Sequence, residues 1–440
     1  MLKRKFSEFL LRWKNDVDKT CLLVKGARQV GKTYVIDLFA KENYKNYIYI
    51  NFETSPDKKA IFDGDLDVGS VLRRLSVHFP AADLTPGETL IFLDEIQSCP
   101  NARVAFKNFS IDKRFDVIGS GSLLGVNYKE VGSYPAGYET AVDLYSLDFE
   151  EFLWGLGVKP DTVSYLADCV RAVKPIDEGV LQKMREYFGW YIITGGMPKV
   201  VETFARTDNF GKVLQLQRSI TTSYLDDVTK YAPRAEKGRA RMCFESIPNQ
   251  LAKKNKKFRY AEIENAGSGS GSAGARRYEG SLTWLYDAGI INYCHNLYEP
   301  ALPLAANVRA DSFKIYMRDT GLLISMMEDG VQAALLGDAL SINEGGIVEN
   351  VCADIFVKSG KRLTYFERKG KLEVDFVFNL GGVAAAIEIK SGDSLLSKSL
   401  DSIAENYKTV KRRIKLEKNC NVYVDAKGVE HYPLFAAMFI

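Results

Sequence analysis

The feature that most constrains the fold is the segment at residues 26–33, which reads G-x-x-x-x-G-K-T. A short apolar run at residues 20–25 precedes it, and we interpret that run as a buried strand. A helix is predicted to follow over residues 33–41. The glycines let the backbone curl so that its N–H groups face phosphate oxygens, and the helix directs its N-terminal dipole at the same phosphates. This order predicts an α/β domain with a phosphate-binding loop.

Each position of this loop has an expected role in binding ATP and Mg²⁺. The ammonium group of Lys32 is expected to reach the β- and γ-phosphates, and the hydroxyl of Thr33 is expected to ligate the metal. The preceding loop residues are expected to contact the nucleotide, and they are Gly26, Ala27, Arg28, Gln29, Val30 and Gly31.

A second apolar run, at residues 89–95, ends in the two acids Asp94 and Glu95. Such a run is typical of a buried parallel strand, and ligands bind at the carboxyl ends of these strands. We expect Asp94 to hold Mg²⁺, directly or through water, and Glu95 to polarise the attacking water as a general base. The alternative is that the two acids only cap the next helix.

Two further strands are predicted, at residues 47–52 and 115–122, and the second of them ends in polar residues. Ser120 or Ser122 could touch the γ-phosphate, or the segment that contains them could be a Gly/Ser turn without that contact. Gln97 is another candidate to face the nucleotide. No arginine finger is assigned. Arg28 lies within the loop, and the candidates are Arg103 and Arg114.

The segments GARQVGKT, IFLDEIQ, VIGSGSLLG and LYSLDFEEFLWG occur in the order found in a large family of prokaryotic AAA-type ATPases, which the chain resembles. Members of that family often carry a carboxyl-terminal domain of unknown function. The stretches TGGMPKVVE, FKIYMRDTGLL and GGIVENVCADIF extend the resemblance over nearly the whole chain. It implies that the roles given to the loop, Asp94 and Glu95 carry over. The chain departs from the family at Tyr138, where a basic residue often follows the glycine.

The resemblance and the spacing of apolar residues together predict an α/β multidomain fold. A helical lid is expected to pack beside the AAA-type parallel sheet, close the nucleotide site and report hydrolysis by moving. A winged helix and a restriction-endonuclease-like α/β domain are expected to follow. The predicted boundaries are 1–150 for the P-loop AAA-type ATPase domain, 151–235 for the lid, 236–335 for the winged helix-turn-helix and 336–440 for the endonuclease-like domain.

Basic side chains are concentrated in the predicted winged helix. A basic cluster at residues 253–259 precedes a short predicted helix at residues 260–266, and a longer helix is predicted at residues 275–291. In one interpretation these side chains contact the phosphates of DNA or RNA. In the other, the domain mediates only protein contacts and its lysines are solvated. The candidate residues are Lys256, Lys257, Arg276 and Arg277.

The carboxyl-terminal region resembles the restriction-endonuclease-like fold, in which a Glu-x-Lys motif follows an Asp on the preceding strand. A helix is predicted at residues 345–357, and strands are predicted at residues 363–368, 372–379 and 384–391. A hairpin turn joins the last two strands and brings their polar residues together. The polar residues of the candidate site are Glu349, Asp375, Glu388 and Lys390.

These residue types point to a Mg²⁺-dependent nuclease. Asp375 and Glu388 are expected to bind Mg²⁺, and Lys390 is expected to position the attacking water. One alternative is a solvated Glu-Lys pair on an edge strand, and another is a fold kept for binding or oligomerisation without cleavage. A helix predicted near residues 399–413 ends in a basic cluster that either follows a nucleic-acid backbone or is solvated. That cluster contains Lys408, Lys411, Arg412, Arg413 and Lys415.

Composition limits the class of protein more than it limits the site. The formal net charge of +3 argues neither for nor against a nucleic-acid partner. The seven cysteines include no C-x-x-C pair, so we expect neither a disulfide framework nor a zinc finger. No apolar run reaches about 18 residues, so we expect a cytoplasmic protein without membrane contact. The sequence allows both a homo-oligomer and a complex with a protein partner.

Overall fold

The chain forms two compact units. The first contains residues 3–146 with residues 287–289, and the second contains residues 147–286 and 290–440 with the amino-terminal two residues. Among the described residues, no helix combines the length and the apolar character that crossing a membrane requires. The computed structural model describes residues 2–122, 136–253, 255–263, 272–337, 344–368, 372–392 and 398–440.

The first unit is built on a five-stranded parallel sheet. Its elements are α1 (Phe6–Asn15), β1 (Cys21–Lys25), α2 (Lys32–Asn43), β2 (Asn46–Asn51), α3 (Val68–His78), β3 (Thr89–Asp94), α4 (Pro100–Val104), α5 (Phe106–Asp112), β4 (Asp116–Gly121) and β5 (Glu139–Asp143). The strand order is β2-β3-β4-β1-β5, and each neighbouring pair is parallel. The predicted parallel α/β fold is therefore confirmed.

The position of each strand in this sheet follows from its apolar content. Strand β3 is buried along its whole length, as a continuous apolar run requires, whereas β5 buries none of its residues and forms an edge. Strands β1, β4 and β3 are neighbours, so their carboxyl ends lie along one edge of the sheet. The loop at residues 26–33 and Asp94 follow or end two of these strands, and the sheet therefore brings them together.

The second unit begins with helices, as the spacing of its apolar residues predicts. They are α6 (Phe149–Gly155), α7 (Pro160–Arg171), α8 (Glu178–Thr194), α9 (Pro198–Thr207), α10 (Phe210–Tyr231), α11 (Lys237–Leu251) and α12 (Ser272–Asp287). Helix α6 starts with a capping box between Asp148 and Glu151. Gly195, with a φ of 68°, ends α8 at the turn predicted for TGGMPK. The role of these helices as a lid stays a prediction.

A mixed sheet follows the helices. The next elements are β6 (Ile291–Leu297), β7 (Val308–Met317), α13 (Thr320–Ser325), α14 (Val331–Leu336), α15 (Glu344–Lys358), β8 (Thr364–Arg368) and β9 (Leu372–Val374). The sheet has the order β7-β6-β8-β9, so it joins strands from both sides of the boundary predicted at residue 335. Of the helix predicted at residues 260–266, the first three residues form the 3₁₀ turn Tyr260–Glu262, and residues 264–266 lie outside the described residues.

The carboxyl-terminal sheet contains the predicted hairpin. Its elements are β10 (Phe376–Leu380), β11 (Val383–Lys390), α16 (Lys398–Asn406), β12 (Val410–Glu417), β13 (Tyr423–Val424) and β14 (Glu430–Pro433), and the strand order is β10-β11-β12-β14-β13. Phe376 pairs with Ile387 in the antiparallel hairpin, so Asp375 lies opposite Glu388. The strand predicted at residues 372–379 is interrupted at Asp375, because β9 pairs with β8 and β10 pairs with β11.

The helix predicted near residues 399–413 is wrong beyond Asn406. Helix α16 ends there, and β12 then runs between β11 and β14. Val410, Ile414 and Leu416 are buried apolar residues at even spacing, which is the period of a strand. Four of the basic residues that were assigned to one helix end therefore lie on a central strand, and Lys408 precedes it.

Candidate functional site

The predicted phosphate-binding loop joins β1 to α2. Three of its residues have φ in the left-handed region, namely Gly26 at 156°, Gln29 at 63° and Gly31 at 92°. A Cβ atom at Gly26 would lie 2.2 Å from the carbonyl oxygen of Leu144, so only glycine fits there. The loop thus curls onto the amino end of α2, where helical N–H groups are available to an anion.

Lys32 is the first residue of α2, and its ammonium group turns back into the loop. Its Nζ donates hydrogen bonds to the carbonyl oxygens of Gly26 at 2.9 Å and Ala27 at 2.8 Å. Burial lowers the pKa of Lys32 to about 8, while the carboxylates of Glu95 and Asp94 act in the opposite direction. The charge of Lys32 is therefore held inside the curl of the loop.

Asp94 ends β3 and is almost completely buried. The Thr33 hydroxyl donates to its Oδ2 at 2.9 Å, and the Ser120 hydroxyl, near the end of β4, donates to its Oδ1. The structure thus brings together Thr33, Asp94 and Ser120, three of the residues that the sequence indicates. Glu95 makes no capping hydrogen bond to the following turn, so the capping alternative is wrong for that residue.

Two residues of β2 that the sequence did not indicate also bind Asp94. The Tyr49 hydroxyl lies 3.1 Å from Asp94 Oδ2, and the Asn51 amide nitrogen lies 3.2 Å from the same oxygen. Strand β2 pairs with β3 so that Asn51 lies beside Asp94. Tyr49 and Asn51 lie two positions apart at the end of an apolar strand, so the sequence places both on one face. Only the strand order shows that this face meets Asp94.

Glu95 lies next to Asp94 in an unusual backbone conformation, with a φ of 51°. The amide nitrogen of Gln97 donates to Glu95 Oε2 at 2.5 Å, and the Ser122 hydroxyl lies 3.4 Å from that oxygen. Gln97 and Ser122, two further candidates from the sequence, therefore both contact Glu95. Two neutral donors therefore hold the Glu95 carboxylate in place.

Both arginine candidates form ion pairs with carboxylates. Arg103 is buried and forms a two-point ion pair with Glu139, and Arg114 forms one with Asp112 at 2.8 Å. Neither fits the role of an arginine finger in this arrangement. Arg28 stays in the loop, where its guanidinium lies 3.7 Å from Glu53.

In the second unit, Glu349 is the centre of a buried ion-pair network. Lys256 lies 2.5 Å from its Oε2, Lys314 lies 2.9 Å from its Oε1, and the Tyr316 hydroxyl also donates to it. Burial alone would raise the pKa of Glu349, but Lys256 and Lys314 outweigh it and lower the pKa to about 2. Glu349 is thus a fully compensated carboxylate.

The other three residues of the carboxyl-terminal candidate site meet at the hairpin. Asp375 Oδ2 accepts a hydrogen bond of 2.8 Å from the N–H of Ile389, and Lys390 lies 2.6 Å from Glu388 Oε1. Burial, followed by the charge of Glu349, raises the pKa of Asp375 to about 7. Glu388 is 4% exposed, and its Oε2 has no hydrogen-bond partner.

The sheet position of Glu388 decides between two of the sequence alternatives. Strand β11 lies between β10 and β12, so the Glu-Lys pair does not lie on an edge strand, and that alternative is wrong. Among the described residues, no three His, Cys, Asp or Glu side chains are grouped so as to hold a metal ion. Glu349 therefore does not join Asp375 and Glu388 in a three-carboxylate site.

Several basic residues predicted to contact nucleic acid are paired with carboxylates instead. The ion pairs are Lys256–Glu349 (2.5 Å), Lys257–Glu367 (3.8 Å), Arg412–Glu430 (2.7 Å) and Lys415–Glu417 (2.7 Å). Lys415 is completely buried, so both alternatives, a contact with a nucleic-acid backbone and a solvated side chain, are wrong for this residue. The side chain of Arg276 lies outside the described residues.

Three family models match separate parts of the chain. Residues 18–153 match the model described as "AAA domain". Residues 185–333 and 344–434 match two models described as domains of unknown function, DUF8612 and DUF4143 respectively. None of the curated proteins compared with the chain matches it.

Several solved structures are similar to the chain at low identity. The Walker-type ATPase PABY2304 of Pyrococcus abyssi is 15% identical, with a TM-score of 0.44, and the match covers 74% of this chain and 96% of that one. The ORC1 protein of Aeropyrum pernix in complex with DNA is 17% identical, with a TM-score of 0.29 and coverages of 76% and 92%. AMPPCP-bound DnaA from Aquifex aeolicus is 11% identical, with a TM-score of 0.28 and coverages of 64% and 90%.

The identification of the first unit rests on its own features and on the family model. The parallel sheet, the curled loop before α2 and the acids at the end of β3 occur within the segment that matches that model. Residues 18–153 therefore have the P-loop α/β fold of the AAA domain whose model they match.

Proposed function

We propose that the chain hydrolyses ATP with Mg²⁺ at the site formed by the loop at residues 26–33 and the end of β3. The observation that carries this proposal is the 2.9 Å hydrogen bond between Thr33 and Asp94. It holds a hydroxyl and a carboxylate side by side, and both are the hard oxygen ligands that Mg²⁺ prefers. The residues present therefore fit the metal that this chemistry uses.

Each residue then has a defined task. Lys32 exchanges its bonds to the loop carbonyls for bonds to the β- and γ-phosphate oxygens. Glu95, held by Gln97, accepts a proton from the attacking water. Bound Mg²⁺ would supply charge neutralisation at the phosphates, and Thr33 and Asp94 would hold it.

Phosphate release from ATP by the purified chain tests this proposal. We expect release in MgCl₂ and none when EDTA replaces it. Absence of Mg²⁺-dependent release from a protein that is folded by circular dichroism would overturn the proposal.

We further propose that the nucleotide state controls what the carboxyl-terminal region does to a partner, and two activities are open. A Mg²⁺-dependent nuclease is favoured by the hairpin, which sets Asp375 opposite Glu388, and by the Glu388 oxygen that has no hydrogen-bond partner. A switch that binds a protein or assembles without cleavage is favoured by Glu349, whose charge two lysines already compensate.

Cleavage of labelled single- and double-stranded DNA and RNA distinguishes these activities. The wild type is compared with Asp375→Ala and Glu388→Ala, in MgCl₂ or MnCl₂, with and without ATP. Cleavage that both variants lose supports the nuclease. Absence of cleavage by a wild type that hydrolyses ATP supports the switch, as does ATP hydrolysis that responds to a protein partner but not to nucleic acid.

A further inference from the structure

The buried Asp94 carboxylate at the end of β3 accepts hydrogen bonds from several segments of the first unit. Five donors reach it, and they come from the loop, from both neighbouring strands and from the next peptide. The donors are the Thr33 hydroxyl, the Tyr49 hydroxyl, the Asn51 amide, the Ser120 hydroxyl and the Glu95 backbone N–H. Strand β2 supplies two of them, Tyr49 and Asn51, and no role was predicted for either from the sequence.

A carboxylate has about four lone-pair sites, so five donors saturate it. Three of the five converge on Oδ2, namely those of Thr33, Tyr49 and Asn51. A Thr33 hydroxyl that turns toward Mg²⁺ gives up its bond to this oxygen. The two donors of β2 then remain on Oδ2, and they fix the direction in which Asp94 can face the metal or its water.

Asn51 has a second set of contacts that leads back to the loop. Its side-chain oxygen accepts hydrogen bonds of 3.0 Å from the N–H groups of Glu53 and Thr54, which fixes the turn after β2. Glu53 in that turn lies 3.7 Å from Arg28 of the phosphate-binding loop. One amide side chain thus connects the metal-binding end of β3 with the turn that faces the loop.

We infer that Asn51 and Tyr49 are positioning residues that set the affinity of the nucleotide site for Mg²⁺ by orienting Asp94. This inference rests on the proposed ATPase function. Partners that orient a metal ligand typically change metal affinity or activity by about 10- to 100-fold when they are removed. Asn51 and Tyr49 both contact Oδ2 of Asp94, and they act through that carboxylate.

The experiment titrates MgCl₂ against binding of a fluorescent, non-hydrolysable ATP analogue to the full chain. We expect Asn51→Ala to raise the MgCl₂ concentration for half-maximal binding by roughly tenfold, and Tyr49→Phe to raise it by less. Binding in EDTA is expected to be unchanged in both variants. Tyr44→Phe is the matched control, because Tyr44 donates a 2.7 Å hydrogen bond to Asp116 at the opposite ends of the strands.

Two results would overturn the inference. One is a Mg²⁺ dependence of both variants that equals the wild type. The other is weaker binding by the same factor in MgCl₂ and in EDTA, because that pattern indicates a general loss of structure. Tyr49→Phe removes a single oxygen, so it keeps the test valid if Asn51→Ala does not fold. A wild type that binds the analogue without hydrolysing ATP would refute the ATPase and leave this inference intact.

Discussion

The ammonium nitrogen of Lys314 lies 2.9 Å from Oε1 of Glu349, and the two side chains are 1% and 2% exposed. Lys314 belongs to β7 and Glu349 to α15, so the pair joins segments on either side of residue 335. A charge buried to this extent is tolerated only when its partner is present, because desolvation of an unpaired ion costs several kcal/mol.

Lys314→Met is therefore expected to destabilise the second unit by about 3–5 kcal/mol, since it leaves Glu349 buried with one ammonium partner fewer. Urea unfolding, followed by circular dichroism, measures the change. The matched control is Lys199→Met, because Lys199 pairs with Glu202 at 3.0 Å on the surface and such pairs contribute roughly 0–1 kcal/mol. A loss for Lys314→Met no larger than that of the control would contradict the prediction.

Asp375 should make stability depend on pH in the neutral range. Burial and the charge of Glu349 raise its pKa to about 7, whereas an unfolded Asp titrates near 3.9. Between these two pH values the folded chain keeps a proton that the unfolded chain has lost. The contribution of this proton to the free energy of unfolding is fully present below about pH 4 and is lost as the pH rises through about 7.

Asp375→Asn removes this titration. The free energy of unfolding of the variant should therefore rise relative to that of the wild type between pH 5 and pH 8. We expect a relative gain of at least about 1.4 kcal/mol, which is the equivalent of one pKa unit. Urea titrations of both proteins at each pH measure it, and the other groups cancel in the difference. A difference that stays constant with pH would show that Asp375 is already ionised at pH 5.

The contrast between β3 and β12 explains how much the sequence could predict. The loop at residues 26–33, Asp94 and Glu95 form local patterns, so their identities and their proximity followed from spacing alone. The hairpin that sets Asp375 opposite Glu388 is also local, because a short turn fixes its register. In β12 the basic residues hid the two-residue spacing of the apolar residues, so a helix was predicted there. The segment forms a strand because it is buried between β11 and β14.

The residues that sequence reasoning missed depend on contacts between distant segments. Tyr49 and Asn51 reach Asp94 only because β2 is the neighbour of β3. Neither segment predicts this strand order from its own residues. The compensation of Glu349 likewise needs Lys256 and Lys314, which lie roughly 90 and 35 positions earlier in the chain. Patterns of residue types gave the candidates, and tertiary contacts decided what each candidate binds.

Lys32→Ala is expected to reduce nucleotide binding below detection at micromolar protein, because the loop loses its only ammonium contact to the β- and γ-phosphates. Equilibrium binding of a fluorescent ATP analogue measures this. Lys41→Ala is the matched control on the same helix, since Lys41 is exposed and pairs with Asp37 at 2.7 Å. Wild-type binding by a folded Lys32→Ala protein would refute the assignment of the loop.

Glu95→Gln is expected to keep nucleotide binding and lower the rate of ATP hydrolysis by about 10²- to 10⁴-fold, which is the usual contribution of a general base. The amide keeps the size of the side chain but accepts no proton from water at neutral pH. Single-turnover hydrolysis and analogue binding are measured together, so that a loss of rate is separated from a loss of affinity.

Glu88→Gln makes the same change at an exposed position before the start of β3, where Glu88 pairs with Lys45 at 2.5 Å, and it should hydrolyse ATP at the wild-type rate. Equal turnover by Glu95→Gln and the wild type would mean that another group takes the proton from the attacking water.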